Sequence, residues 1–235
     1  MIDPNPSRHV VVTGAAGALG RAVVQHFLDQ GARLALLDHR MEHLVSTFPG
    51  LDNSQHLLLE ADVTSIESMG DAAARIHAAF KQVDALVHIA GGFEMGEPVH
   101  GLSRAAWDRM MNLNAWSFVA VTQSLVPSMI EHKAGSVIAV SAKTAARGAA
   151  SMAAYIASKS ALQRLVEAAA AELAPHGITV NSIAPSVLDT PANRQAMPDA
   201  KPEGWVSTAV AAQAIGFLAS PAAAALHGQH LTLDA

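Results

Sequence analysis

The sequence predicts an α/β fold, a doubly wound parallel sheet of seven strands flanked by helices, and three observations carry that prediction. Seven short apolar runs recur along the chain. Most of them are continuously apolar rather than alternating, as expected of strands covered on both faces. The segments between them are mostly long enough for crossover helices, and alternating β and α elements favour parallel strands with right-handed connections.

Taken in order, Val10–Val12 is the first run. The segment Thr13-Gly14-Ala15-Ala16-Gly17-Ala18-Leu19-Gly20 follows it and opens the first helix. Leu34–Leu37 is the second run and ends at Asp38. His56–Leu59 is the third, followed by Asp62-Val63, and Ala85–Ile89 is the fourth, running into Ala90-Gly91-Gly92. Trp107–Ile130 reads as an amphipathic helix before the fifth run, Val137–Val140. Tyr155–Leu173 lies in an alanine-rich helix, with Ser151 as its candidate cap and Pro175 and Gly177 marking its end. Ile178–Ile183 and Gln229–Leu233 complete the set. The stretch from Pro185 to about Gly204 also holds Pro191, Pro198 and Pro202, and it reads as an irregular substrate loop over a site, not a domain boundary. No internal repeat or low-complexity linker divides residues 1–235, so one domain is expected.

Composition narrows the possible partners. The chain is 51% hydrophobic and 15% charged, which predicts a sizeable buried core. Its net charge is −5 with no basic cluster, so neither nucleic acid nor an anionic membrane is expected as a partner. The absence of cysteine excludes disulfides and thiolate metal sites and fits a reducing cytoplasm. Met1–Arg8 is polar and lacks the apolar core of a signal peptide, and no apolar run is long enough to span a bilayer. A cytoplasmic location is therefore expected. Trp107–Ile130 and Tyr155–Leu173 carry small and apolar faces beyond the one that must meet the sheet. A homodimer or homotetramer is expected, with Trp107 and Trp116 in core or subunit packing.

Two features carry chemistry. Glycines after a buried strand let the backbone turn sharply and let a pyrophosphate approach the free N–H groups of a helix N-terminus. Gly14, Ala16, Gly17, Leu19 and Gly20 are therefore candidate cofactor contacts, in a Rossmann-type arrangement. Asp38 lies 18 residues beyond Gly20, where a carboxylate accepts both ribose hydroxyls. A 2′-phosphate would meet like-charge repulsion there, so NAD(H) is preferred over NADP(H), a preference that the nearby Arg21 and Arg40 soften. The second feature is Tyr155, the chain's only tyrosine, with Lys159 four residues on. The two share a helix face. A free phenol titrates near pH ~10, and lowering it by about 3 units needs roughly 4 kcal/mol, which a cationic neighbour can supply. Tyr155 is thus the candidate general acid and Lys159 its partner.

With these pieces in place the chain resembles the short-chain dehydrogenase/reductase family over essentially its whole length. The glycine loop, Asp38, Asp62-Val63, Ala90-Gly91-Gly92, Asn114, Tyr155-x-x-x-Lys159, Asn181 with Pro185, and Thr190 occur in the family's order and spacing. The resemblance implies that Asp62 and Val63 flank the adenine, and that Ala90, Gly91 and Gly92 pass close to the cofactor. It implies that Pro185, Val187 and Thr190 lie along the cofactor, with Thr190 at the carboxamide. Lys159 would bridge the nicotinamide ribose and Asn114 would hold a water in a proton relay; Ser141 is carried beside Tyr155 as a candidate catalytic residue. A hydride moves, on this reading, between a nicotinamide cofactor and a small carbonyl, alcohol or imine. A dinucleotide-sensing protein without catalysis is the rival class; it predicts decay of the Tyr155–Lys159 pair, and both residues are present.

The chain departs from the family pattern in four places. Ala18 replaces a loop glycine, His88-Ile89-Ala90-Gly91 replaces Asn-Asn-Ala-Gly, and Ser186 replaces the glycine after Pro185. The family usually has paired serines at Ser141-Ala142; aligned through Tyr155, the second, which polarises the substrate carbonyl, is Ala142. Such a donor is worth roughly 10²–10³ in rate. Either Ser141 swings in, or the substrate is electron-poor, like a quinonoid imine. Ala142-Lys143, Ala90-Gly91-Gly92-Phe93 and the run Asp189-Thr190-Pro191-x-Asn193-Arg194-x-x-Met197-Pro198 followed by Trp205 are similar to dihydropteridine reductases of the same superfamily. Phe93, Ala142, Met197 and Trp205 are the candidate substrate contacts. Of the twelve histidines, His39 and His43 share a spacing that suits zinc. No third ligand is evident in sequence, so a solvated face is expected and no metal site is assigned.

Overall fold

The structure, a computed structural model, describes residues 8–51 and 55–235. Apart from Arg8, the segment read as lacking a signal peptide lies outside the described residues. Seven strands form one sheet: β1 His9–Thr13, β2 Arg33–Asp38, β3 Leu57–Glu60, β4 Ala85–His88, β5 Gly135–Val140, β6 Ile178–Pro185 and β9 His230–Leu233. Their order across the sheet is β3-β2-β1-β4-β5-β6-β9, and every pairing is parallel. The winding direction reverses between β1 and β4, which opens a crevice at the carboxyl ends of these strands. Each apolar run predicted from sequence contains or overlaps a sheet strand.

The strands read as unbroken apolar runs because alternate residues enter two different cores. Val11, Leu37, Leu59, Leu86, Ala139 and Val180 pack on one face, against α3 (Ile66–Ala79), α5 (Ser117–His132) and α6 (Ala153–Leu173). Val10, Val12, Leu34, Leu36, Val87 and Ile138 pack on the other, against α1 (Ala18–Leu28), α2 (Met41–Thr47) and α8 (Thr208–Leu218). No helix among the described residues is long and apolar enough to cross a membrane.

Three local expectations give way. Ser151 does not cap α6. It adopts a left-handed φ of 59°, its carbonyl accepts from the Gly96 N–H at 2.8 Å, and Met152 occupies the cap position without a side-chain bond. The predicted helix Trp107–Ile130 is divided into α4 (Arg104–Met111), one π-helical turn at Asn112–Trp116, and α5. A π turn is a single-turn feature within a helix, and no glycine or proline at Asn112–Trp116 marks it in the sequence. The stretch expected to be irregular, Pro185–Gly204, holds a short helix, α7 (Pro191–Ala196). Just before that helix, β7 (Leu188–Asp189) pairs with β8 (Val206–Ser207). Thr190 caps α7 by accepting from the Asn193 N–H, with Pro191 in the first turn. Proline is pre-organised for that position.

Candidate active site

The glycine loop is built by close backbone approach. Gly14 holds φ at 65°, and a Cβ there would lie 2.9 Å from the Ala90 nitrogen. A Cβ on Gly20 would lie 2.2 Å from the Gly14 carbonyl oxygen. These contacts seat α1 directly behind β1 and against the end of β4. Gly17 stands at the N-cap of α1, with no side-chain cap and no acidic residue in the first turn. The helix thus presents backbone donors that no side chain caps, the chemistry a pyrophosphate requires. The loop residues therefore fit a dinucleotide.

Asp38 ends β2 beside this loop and is 7% exposed. Its Oδ2 accepts from the Ala16 N–H at 3.1 Å, and its Oδ1 accepts from the His39 N–H at 2.9 Å and meets His39 Nδ1 at 2.8 Å. The His39 and His43 rings meet edge to face, and Asp38 offers a third ligand type not evident in sequence, its ligand atom within 4.8 Å of theirs. Asp62 follows β3, next to β2 in the sheet, and its carboxylate accepts from the Thr64 N–H and hydroxyl at 2.9 and 2.7 Å. Val63 beside it is buried.

The second half of the crevice gathers around Gly91. A Cβ on Gly91 would lie 2.9 Å from Asn114 Oδ1 and 3.2 Å from Lys159 Nζ, so residues far apart in sequence meet here. Asn114, in the π turn, clamps Gly92: Oδ1 accepts from its N–H at 2.9 Å and Nδ2 donates to its carbonyl at 3.0 Å. Nδ2 also donates to the Ser158 hydroxyl, which itself donates to the Tyr155 carbonyl. The Asn114 side chain is therefore a brace between the Gly92 loop and α6. Sequence reading missed Ser158; a serine inside a helix, a residue type that bonds carbonyls three or four residues back, is the signal the sequence offered.

Lys159 is 5% exposed and donates to the Val140 carbonyl at 2.8 Å. Burial lowers its ammonium to about 8. Burial pushes the Tyr155 phenol up to about 12. The sequence argument had Lys159 depressing the phenol. In the structure desolvation decides both groups, because the ammonium is itself buried and turned toward Val140. Beside Tyr155 the exposed Phe93 ring stands edge-on, its centroid 4.8 Å away.

Ser141 does not face the cleft. Its hydroxyl is buried and donates to the Lys159 carbonyl at 3.3 Å, which ties the end of β5 to α6. Ala142 is likewise buried, and it brings no hydroxyl. His88, at a departure from the family pattern, joins a one-way chain. Ala90 N–H donates to Thr13 Oγ1, which lies 2.9 Å from His88 Nδ1. His88 Nε2 lies 3.0 Å from Ser117 Oγ, and Ser117 donates to the Leu113 carbonyl. Burial, and then the Lys159 charge, lower His88 to about 3, so it is neutral. Of the remaining sequence-derived residues, Pro185 closes β6, and the Val187 carbonyl accepts from the Val206 N–H. The Thr190 hydroxyl serves α7, while Met197 is 37% exposed and Trp205 half-buried on the segment after β7.

Residues 8–201 match the family model described as short chain dehydrogenase. An NAD-dependent glycerol dehydrogenase of Listeria innocua is 30% identical, the match covering 95% of this chain and 91% of that protein. A cis-4-hydroxycyclohexanecarboxylate dehydrogenase of Sinomonas cyclohexanicum is 32% identical, covering 97% and 95%. The crystal structure of gox2181 superposes with a TM-score of 0.90 at 26% identity, covering 97% of this chain and 95% of that one.

Proposed function

The chain belongs to the short-chain dehydrogenase family and is an NAD(P)-dependent oxidoreductase, and from that premise we propose that it reduces a small cyclic carbonyl or imine with NADH, Tyr155 acting as the acid. The observation that carries this reading is the meeting of Gly91, Asn114 and Lys159, one helical turn from Tyr155, at the sheet's switch point. A bound nicotinamide dinucleotide supplies the hydride in this direction and accepts it in the other. The Tyr155 phenol gives its proton to the substrate oxygen or nitrogen as hydride reaches the adjacent carbon, so the double bond becomes CH–OH or CH–NH. Lys159 is oriented by the Val140 carbonyl, and Asn114 is a positioning residue acting through Gly92 and Ser158. The buried Asp38 carboxylate supports NAD(H) over NADP(H), through charge repulsion of a 2′-phosphate. Phe93, Met197 and Trp205, on the segments beyond β4 and β7, wall the substrate side under the cover of residues 185–204.

A second reading follows from Ala142 together with the run Asp189–Pro198 and Trp205. With Ser141 turned away, no serine donor polarises the acceptor. An electron-poor quinonoid dihydropterin needs that donor least. The test is NADH oxidation with quinonoid dihydropterin beside a panel of cyclic ketones, repeated with NADPH and with Tyr155→Phe. Activity confined to simple ketones rejects the pterin reading, a strong NADPH preference rejects the assignment of Asp38, and unchanged turnover in Tyr155→Phe rejects the acid. The chain acts, on this reading, as one cytoplasmic dinucleotide-binding unit assembled into a homodimer or homotetramer.

A further inference from the structure

The carboxylate that ends β2 has two imidazoles beside it. Asp38, His39 and His43 each offer one ligand atom, and these atoms all lie within 4.8 Å of one another. Asp38 Oδ1 and His39 Nδ1 are 2.8 Å apart, and the His39 and His43 rings meet edge to face with centroids 5.5 Å apart. The carboxylate is held from behind by the Ala16 and His39 backbone N–H groups, the kind of outer support that orients a metal-binding carboxylate. The His39 side chain is 66% exposed and that of Asp38 only 8%, so an ion has access from solvent while its anionic ligand stays fixed.

We propose that Asp38, His39 and His43 form a binding site for a divalent cation of the zinc class, and that the bound ion excludes the adenosine ribose from Asp38. Two imidazole nitrogens and one carboxylate oxygen are a zinc donor set with a fourth position left for water. Magnesium and calcium, which seek several oxygens, find a single carboxylate here. With metal–ligand bonds of about 2.1 Å, tetrahedral ligand atoms lie about 3.4 Å apart, and here the three ligand atoms lie within 4.8 Å of one another. The ion occupies the oxygen a ribose hydroxyl would use, so each ligand weakens the other by the same factor. The exclusion rests on reading Asp38 as the ribose acceptor; the binding does not.

The experiment takes the full chain, chelator-treated and free of cofactor, and titrates zinc chloride by calorimetry into wild type, His43→Gln and Asp38→Asn. The expected result is one zinc per chain in wild type and affinity weaker by about tenfold or more in both variants. NADH is then titrated by fluorescence with and without zinc. Its apparent Kd rises with zinc in wild type and stays constant in His43→Gln, whose zinc-free turnover is unchanged. Absent zinc uptake, uptake undiminished in His43→Gln, or equally tight uptake of magnesium overturns the site. Zinc that binds there yet leaves NADH affinity unchanged overturns the exclusion. If Asp38→Asn then binds NADH as well as wild type, the ribose assignment of Asp38 is what failed.

Discussion

Lys159 is an ammonium 5% exposed, held by one carbonyl, and lowered to about 8 by burial. In an unfolded chain the same group keeps its proton to about 10.5. Between these values the unfolded chain binds more protons, so stability rises with pH; below the folded value the cost of the buried charge is present in full. Lys159→Met is therefore expected to abolish turnover and to stabilise the fold at pH 7 by about 1–3 kcal/mol, a gain that fades toward pH 10.5. Urea unfolding at the two pH values checks this, and a loss of stability at pH 7 would mean the Val140 bond outweighs desolvation. Nearby, Ala142→Ser restores the hydroxyl donor. Its kcat/KM for unactivated ketones is expected to rise about 10–10²-fold, with turnover of a quinonoid dihydropterin changing far less. Steady-state kinetics on both substrates decide it. The i,i+4 spacing made Tyr155 and Lys159 legible. Which way their proton affinities move was not, because desolvation depends on Val140 and on the packing around α6.

The start of α1 is an element whose position depends on a missing side chain. A Cβ on Gly20 would meet the Gly14 and Ala15 carbonyl oxygens at 2.2 and 2.5 Å, and backbone cannot turn aside as a flexible side chain can. Gly20→Ala is expected to cost about 1–3 kcal/mol of stability and to weaken NADH binding at least about tenfold, by lifting the helix terminus from the loop. Gly70, inside α3, has nothing within 4 Å of the position its Cβ would take. Gly70→Ala should stabilise by about 0.5–1 kcal/mol and leave NADH binding unchanged. Urea unfolding and NADH fluorescence on the pair separate close approach from general glycine chemistry. Elsewhere, element boundaries were legible where a local signal exists. Pro175 and Gly177 do mark the end of α6, and Thr190-Pro191 marks the start of α7 although the surrounding prolines had suggested a loop. The π turn at Asn112–Trp116 left no such signal.

On the whole molecule, α4, α5 and α6 leave an open groove of about 1130 Å³, lined by Trp116, Val119, Ala161 and Leu165 with Arg104 and Arg164 among the residues around it. Trp116 is 41% exposed there despite its bond to the Thr64 carbonyl. The proposed homo-oligomer would cover this face. Ala161→Arg, on a partly exposed helix position, is expected to give monomers in sedimentation velocity without lowering the urea midpoint; a wild type that already sediments as a monomer rejects the assembly. The seven parallel strands, the glycine turn, the acid at the end of β2 and the tyrosine–lysine pair were determined by sequence alone, since each is written in a local pattern of apolar runs or fixed spacing. Tertiary structure alone decided that Ser141 turns its hydroxyl to α6, that Asn114 braces Gly92, that burial governs Lys159, and that Asp38 meets two histidines. Each of these depends on where side chains point and what surrounds them, and those surroundings come largely from residues distant in the chain.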